Sequence, residues 1–208
     1  MRSRTWVVVV VVAAVLSTCA CACACAPPAE RSRSAAEAAP PPWRAQMAAW
    51  RYPAPLPAFP LVDERGRAFS LDARKGAPLV VGFVFTRCPV ADACPLTMAR
   101  LKQVHERAPA LRILVVTLDP AHDTPPVLAA YAQRFGVAGD DAFTLATAPR
   151  EVVDALGSLF NVVAIRRGDG DIAHPVKVAL LDDKLAPARE WLDNNFTADE
   201  VIDASARQ

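Results

Sequence analysis

The sequence predicts an α/β sandwich with a mixed central sheet. Two runs have the composition of strands that are buried in a sheet: residues 79–85, which are continuously apolar, and residues 111–118, which are mostly apolar. Patterns with the apolar spacing of helices follow both runs, so strands and helices alternate along much of the chain. The sequence contains no internal repeat, which excludes a solenoid.

Local signals place the individual elements along the chain. A turn at residues 64–66 separates two short strands. Pro95 and Pro125 suit the first positions of helices, and Thr197 suits a helix N-cap. In chain order, the predicted elements are two strands within residues 59–71, a strand at 79–85, a helix at 95–107, a strand at 111–118, a helix at 124–136, a strand at 143–147, a helix at 149–160, a hairpin of strands at 176–182 and 188–192, and a final helix after residue 197.

Residues 1–25 have the pattern of a signal peptide. Arg2 and Arg4 form its charged start, and the apolar run at residues 7–16 is too short for a typical membrane span. Because residues 16–19 resemble a bacterial lipobox, we expect export to the periplasmic, extracytoplasmic side as a membrane-anchored lipoprotein. Ordinary cleavage at residues 24–26 is the alternative. We interpret the leader cysteines as compositional drift rather than as a metal site; they are Cys19, Cys21, Cys23 and Cys25.

The rest of the chain is divided into a tether and one domain. Residues 26–55 are rich in Pro and Ala and are predicted to form an extended tether. Residues 56–208 are long enough for one domain with a proper core. The formal net charge of the chain is +1 and the domain contains no cluster of Lys or Arg, so no nucleic-acid partner is expected.

A cysteine pair follows the first buried strand. Cys88 and Cys94 are the only cysteines outside the leader, and a helical pattern begins directly behind them. A β-rich run that ends in a cysteine pair before a helix is how a thioredoxin-like fold presents its chemistry, so we predict a thioredoxin-like sandwich. After export the pair can be oxidised unless something reduces it. The pair is therefore a redox couple or two soft metal ligands; two inert buried thiols or a structural disulfide are the alternative.

The predicted helix start also bears on the reactivity of these thiols. Cys94 lies at or near the N-terminus of a helix, where unpaired amides and the helix dipole favour a thiolate, so we expect a lowered pKa. Arg87 could act in the same way on Cys88, and Asp92 opposes this effect. Asp119 and Asp123 are interpreted as groups that order the loop and turn beside the cysteines rather than as an acid–base pair.

Four segments of the domain resemble the Sco/SenC family of thioredoxin-fold, membrane-tethered copper proteins. Together they span nearly the whole domain, and the third is the most specific of them. They are Phe59-x-Leu61-x-Asp63-x-x-Gly66 with Phe69-x-Leu71; Phe83-x-Phe85-Thr86-x-Cys88-Pro89 with Cys94-Pro95; Val115-x-Thr117-Leu118-Asp119-Pro120-x-x-Asp123-Thr124-Pro125; and Ile172-Ala173-His174.

The resemblance implies a copper metallochaperone. Carried over residue by residue, the family's Cu(I) ligands fall on Cys88, Cys94 and His174, and the implied task is assembly of the copper site of a respiratory oxidase. The implied partner is an oxidase subunit or another exported protein that contains cysteines. The chain departs from the family in two places: five residues separate the cysteines where the family usually has three, and Pro175 follows the histidine where the family tends to have serine.

The residues themselves are consistent with copper and leave two other functions open. Two thiolates and an imidazole are soft ligands, and three of them suit the low coordination number of Cu(I). In the alternative function, Cys88 and Cys94 cycle between dithiol and disulfide as a thiol-disulfide oxidoreductase. A third alternative is a scaffold whose copper site has drifted. His122 could approach the site, but the resemblance gives it no ligand role.

Overall fold

A computed structural model of the chain describes residues 56–168 and 170–208. The predicted signal peptide (1–25) and tether (26–55) lie outside the described residues. Within the described part, no helix is long and apolar enough to cross a membrane.

The described residues contain nine strands and four α-helices, in the order predicted for the main elements. Two elements were not predicted: a 3₁₀ helix at Leu71–Arg74 and a small hairpin of two strands, Ile165–Arg166 and Ile172–Ala173. The elements are β1 (Pro60–Asp63), β2 (Ala68–Ser70), β3 (Leu79–Val84), α1 (Cys94–Arg107), β4 (Arg112–Thr117), α2 (Pro125–Phe135), β5 (Phe143–Thr147), α3 (Arg150–Leu159), β6 (Ile165–Arg166), β7 (Ile172–Ala173), β8 (Lys177–Leu181), β9 (Pro187–Leu192) and α4 (Ala198–Ser205).

Seven strands form one mixed sheet in the order β2-β1-β5-β4-β3-β8-β9. Strands β3, β4 and β5 run parallel to one another, whereas β1 and β8 are antiparallel to their neighbours β5 and β3. The α/β fold with a mixed central sheet, and its thioredoxin-like class, are therefore confirmed.

Helices cover both faces of the sheet because its central strands are apolar on both sides. On one face, Val80 and Val84 of β3 pack in a core with α1, α2 and α4. On the other face, Val81 and Phe83 pack with α3, where the rings of Phe83 and Phe160 are 5.3 Å apart. All six residues of β3 are buried, as the continuous apolar run predicts.

The register of the sheet determines which loops meet at one edge. In the parallel pair of β3 and β4, Val84 lies opposite Thr117, so the loops that follow these two strands leave the sheet together. In the antiparallel pair of β3 and β8, Gly82 lies opposite Val178, so the segment before β8 lies beside the end of β3. This edge holds the cysteine loop, the β4–α2 loop and His174.

Candidate metal-binding site

The cysteine loop connects the buried end of β3 to the start of α1. The amide of Cys88 donates a hydrogen bond to the carbonyl oxygen of Phe85 (3.3 Å), and the amide of Ala93 donates to that of Val90 (3.1 Å). The first hydrogen bond closes a turn that ends at Cys88, and the second closes a turn within the five residues between the cysteines, directly before the helix. Helix α1 begins at Cys94 itself, with Pro95 as its second residue, one position later in the helix than predicted.

The two thiols differ in their exposure to solvent. Cys94 is buried, with 1% of its surface exposed, whereas Cys88 is half-buried and its sulfur lies 3.9 Å from the carbonyl oxygen of Val90. Both are free thiols, so formation of a disulfide between them stays a prediction.

The prediction that the helix N-terminus lowers the pKa of Cys94 is wrong. Burial, and to a smaller extent the neighbouring thiol of Cys88, raise the pKa of the Cys94 thiol above its usual value, although backbone hydrogen bonds act in the opposite direction. Desolvation of the charged form outweighs the helix N-terminus here because Cys94 starts its helix inside the core. Cys94 is therefore a neutral thiol at neutral pH.

His174 lies beside Cys94, as the resemblance implies. Its Nε2 is 3.6 Å from the sulfur of Cys94, and its ring packs edge-on against Phe85, with centroids 5.8 Å apart. Nδ1 donates a hydrogen bond to the carbonyl oxygen of Pro175 (2.9 Å), which assigns the neutral tautomer with an unprotonated Nε2. Burial lowers the pKa of His174, so the ring is neutral at neutral pH and directs a lone pair at the thiol.

Asp123 joins the loops at this edge of the sheet. Its side chain is fully buried and accepts hydrogen bonds from the amide of Thr86 (3.0 Å), from the hydroxyls of Thr86 and Thr117, and from Nδ1 of His122 (2.9 Å). These donors come from the start of the cysteine loop, from the end of β4 and from the β4–α2 loop. The interpretation of Asp123 as a group that orders the turn is consistent with these contacts.

Asp119 holds the second residue of the cysteine loop. Its carboxylate accepts from Nη2 (2.5 Å) and Nε (3.2 Å) of Arg87. The same guanidinium packs against Gly170 of the β6–β7 hairpin, where a Cβ would lie 2.6 Å from the guanidinium carbon and where φ is +79°. Arg87 is thus an anchor between the cysteine loop and the hairpin.

Asn194 is a structural residue of the site that the sequence analysis missed. It is buried, and its amide donates to the carbonyl oxygens of Asp92 (3.0 Å) and Ala93 (3.1 Å), while its oxygen accepts from the hydroxyl of Thr97 (2.8 Å). These bonds attach the end of the cysteine loop to the turn before α4. The only signal in the sequence was its place in the polar run 193–195, which indicates no more than a turn.

The fold and this site define a thioredoxin-like protein with a thiol pair and a histidine at one edge of the sheet. The profile of the SCO1/SenC family matches residues 53–208. The chain therefore belongs to the SCO1/SenC family, and the resemblance is confirmed.

Solved structures with the same fold come from several members of this family. A SCO1/SenC family lipoprotein from Bacillus anthracis has a TM-score of 0.67 at 21% identity, covering 73% of this chain and 93% of that one. ScoI of Bradyrhizobium japonicum, solved with copper bound, has a TM-score of 0.61 at 22% identity, covering 73% and 98%. BsSco, described with a disulfide switch as a member of the Sco family of cytochrome c oxidase assembly proteins, has a TM-score of 0.62 at 19% identity, covering 76% and 96%.

At 19–22% identity, these three structures establish only that the fold is shared. The first curated relatives match this chain over less than two thirds of their own length.

Proposed function

We propose that this protein is a copper metallochaperone that holds Cu(I) with Cys88, Cys94 and His174 and hands it to an exported partner. The observation that carries the proposal is the unprotonated Nε2 of His174, which faces the sulfur of Cys94 at 3.6 Å. The proposed destination is the copper site of a respiratory oxidase, supported by the description of BsSco as an oxidase assembly protein and by the copper in the Bradyrhizobium japonicum structure.

The donor set and its surroundings suit the proposed cargo. Thiolate sulfur and imidazole nitrogen are ligands that Cu(I) prefers over hard cations. The hydrogen bond from Nδ1 to Pro175 orients the ring, as the outer hydrogen bonds of metal-bound histidines do. Cys94 is buried, whereas Cys88 is only half-buried, so a partner's thiol can replace Cys88 first and draw the ion outward.

Thiol-disulfide exchange is the second candidate function, favoured by the two free thiols and by the disulfide switch described for BsSco. In this reaction Cys88 and Cys94 would form a disulfide, and a partner's disulfide would take up two electrons and two protons to become two thiols. The two functions are compatible, because Cu(I) binding requires the reduced pair.

We propose that the domain works at the extracytoplasmic face of a membrane, held there by a lipid on a leader cysteine or by the N-terminal segment. The charged start, the short apolar run and the lipobox-like residues 16–19 support this placement. The lipoprotein from Bacillus anthracis supports it as well.

A Cu(I) titration against a competing chelator tests the copper function. Replacement of one ligand in Cys88→Ala or His174→Ala is expected to weaken Cu(I) binding by at least about 100-fold, since even a change behind the ligands costs 10–100-fold. His105→Ala is the matched control, because His105 lies in the last turn of α1, where it pairs with Asp140, and is not a proposed ligand. Unchanged affinity in His174→Ala, with loss only in the cysteine variant, would leave a dithiol protein without this copper site.

The raised pKa of Cys94 predicts that copper binding depends on pH. The thiol is protonated at neutral pH, so a bound Cu(I) must displace its proton, while the neutral ring of His174 has none to lose at Nε2. Cys94 alone is then expected to raise the apparent affinity by about tenfold per pH unit between pH 6 and 8. Titration calorimetry in two buffers of different ionisation enthalpy counts the released protons. An affinity that is flat over this range would contradict the protonated state of Cys94.

A further inference from the structure

A cleft of about 440 Å³ opens directly beside the cysteine loop. Its walls are Thr86 and Arg87 of that loop, His122 of the β4–α2 loop and the outer side of α2. Its volume is within the range of sites that accept a ligand or a side chain. None of its lining residues is a proposed copper ligand.

The floor of the cleft is apolar and firmly supported. Pro126, Val127 and Ala130 line it from α2, together with the ring of Tyr131. Tyr131 is buried and packs edge-on against Phe135, with centroids 5.0 Å apart. The cleft therefore offers a rigid apolar surface that an apolar side chain can cover.

The rim of the cleft is positively charged. Its lining includes Arg87, Arg134 and His122 but no carboxylate. Asp119 forms an ion pair with Arg87 and so neutralises its charge. Asp123 is buried, and its oxygens accept hydrogen bonds from Thr86 and Thr117. Neither carboxylate therefore attracts a cation into the cleft. The guanidinium of Arg134 lies over the ring of Tyr131 at 5.7 Å, and no ion pair of Arg134 occurs within the described residues. The uncompensated charge at the rim is thus that of Arg134.

The position of the cleft indicates the kind of occupant. Thr86 and Arg87 line the cleft and immediately precede Cys88, so the cleft lies next to the position that a partner's cysteine takes up at Cys88. An extended chain advances about 3.3 Å per residue, so residues two or three positions from that cysteine enter it.

We propose that the cleft binds an extended segment of the partner protein that places an apolar side chain on the α2 floor and a carboxylate beside Arg134. The proposal rests on the proposed function in one respect, since the segment is the one that flanks the partner's reactive cysteine. It assigns a docking surface that selects acidic, partly apolar segments and brings their thiols to Cys88.

Short peptides serve as probes for this surface. The acidic probe has one phenylalanine flanked by two aspartates, and the matched probes have lysines or asparagines in place of the aspartates. Each is titrated into the reduced, metal-free full chain while the backbone amide signals are followed by NMR. The acidic probe is expected to shift the signals of Val127 and Ala130 and to bind about threefold to fivefold more tightly than the asparagine probe, with the lysine probe weakest.

Ala130 offers a matched pair of variants because it is exposed on α2 and lines the cleft. Ala130→Asp is expected to weaken binding of the acidic probe about fivefold, whereas Ala130→Lys, although bulkier, should weaken it no more than about twofold or strengthen it. Arg134→Gln should weaken it about threefold. Equal binding of all three probes, signal shifts confined to other surfaces, or equal losses in both Ala130 variants would overturn the proposal.

These assays contain no copper, so they separate this proposal from the proposed function. The Cu(I) affinity of Ala130→Asp is expected to stay within about twofold of the wild type, because the variant alters no ligand. A chain that binds the acidic probe but no Cu(I) would refute the copper function alone. A chain that binds Cu(I) but shows no preference for the acidic probe would refute the docking surface alone.

Discussion

Replacement of Asp123 by alanine is expected to lower the free energy of unfolding by about 3–5 kcal/mol, as when one partner of a buried charged network is removed. Its carboxylate is fully buried and accepts hydrogen bonds from Thr86, Thr117 and His122. Alanine would leave the amide of Thr86 and the hydroxyls of Thr86 and Thr117 without their acceptor, and each buried bond left unmade costs about 1–3 kcal/mol.

The same change should affect the site as well as the stability. Asp123 holds the first residue of the cysteine loop, so its loss allows the loop to move relative to Cys94 and His174. We expect the Cu(I) affinity to fall by about 10–100-fold, the range observed when groups behind metal ligands are removed.

Urea denaturation of the two proteins measures the loss of stability. Asp141→Ala is the control, since its carboxylate is largely exposed although it pairs with Arg65 and Arg67, and its loss should cost no more than about 1 kcal/mol. Asp123→Asn keeps the shape and should fall between the wild type and the alanine variant. A cost below about 1 kcal/mol for Asp123→Ala would show that water or other acceptors replace the carboxylate.

The main elements of the fold could be predicted because their signals are local and strong. The run that becomes β3 is apolar over all six of its residues, and the run that becomes β4 has four consecutive aliphatic residues at 113–116; both are too short for a helix, which favours buried strands. The β6–β7 hairpin lacks such a signal. Its strands have two residues each, Ile165 is 58% exposed, and charged residues occupy most of the turn between them. Only Gly168 and Gly170, both at positive φ, mark that turn in the sequence.

The residues of the candidate site could be predicted from the sequence, but the burial and the hydrogen-bond partners around them could not. The place of Cys88 and Cys94 between a buried strand and a helix marks them in the sequence, whereas His174 is indicated by the family resemblance, and its placement beside Cys94 agrees with that. The pKa of Cys94 could not be deduced, since the helix N-terminus is visible in the sequence and the surrounding core is not. Asn194 was missed for a related reason: its partners Asp92 and Ala93 are about one hundred residues away along the chain.

The wider spacing of the cysteines has a physical account in the turn that lies between them. The hydrogen bond from the amide of Ala93 to the carbonyl oxygen of Val90 folds the chain back within the five intervening residues, so the two extra residues need not separate the thiols. Asn194 and Arg87 then hold the two ends of the loop against the domain. Loop length is therefore a weak argument against the copper function in this chain.

The unequal burial of the two thiols predicts a large difference in their reactivity. Alkylation by iodoacetamide at neutral pH is expected to be at least about 100-fold slower for Cys94 in Cys88→Ser than for Cys88 in Cys94→Ser. The thiolate is the reacting species. Full burial can raise the pKa of a thiol by about 3–5 units, which lowers the fraction present as thiolate by a factor of about 10³ or more. Access also differs, since Cys94 is 1% exposed and Cys88 is half-buried at the surface.

The measurement follows the tryptic peptide 88–100, which holds both positions and excludes the leader cysteines. The same reaction in concentrated denaturant is the control, and there both variants should react at similar rates because burial is gone. Similar rates in the folded variants would mean that Cys94 opens to solvent readily and that its thiol is not shielded. If the rates differ as expected, a partner's thiol reaches Cys88 first, and the proposed transfer of Cu(I) or of electrons would then proceed through Cys88 while Cys94 stays in the core.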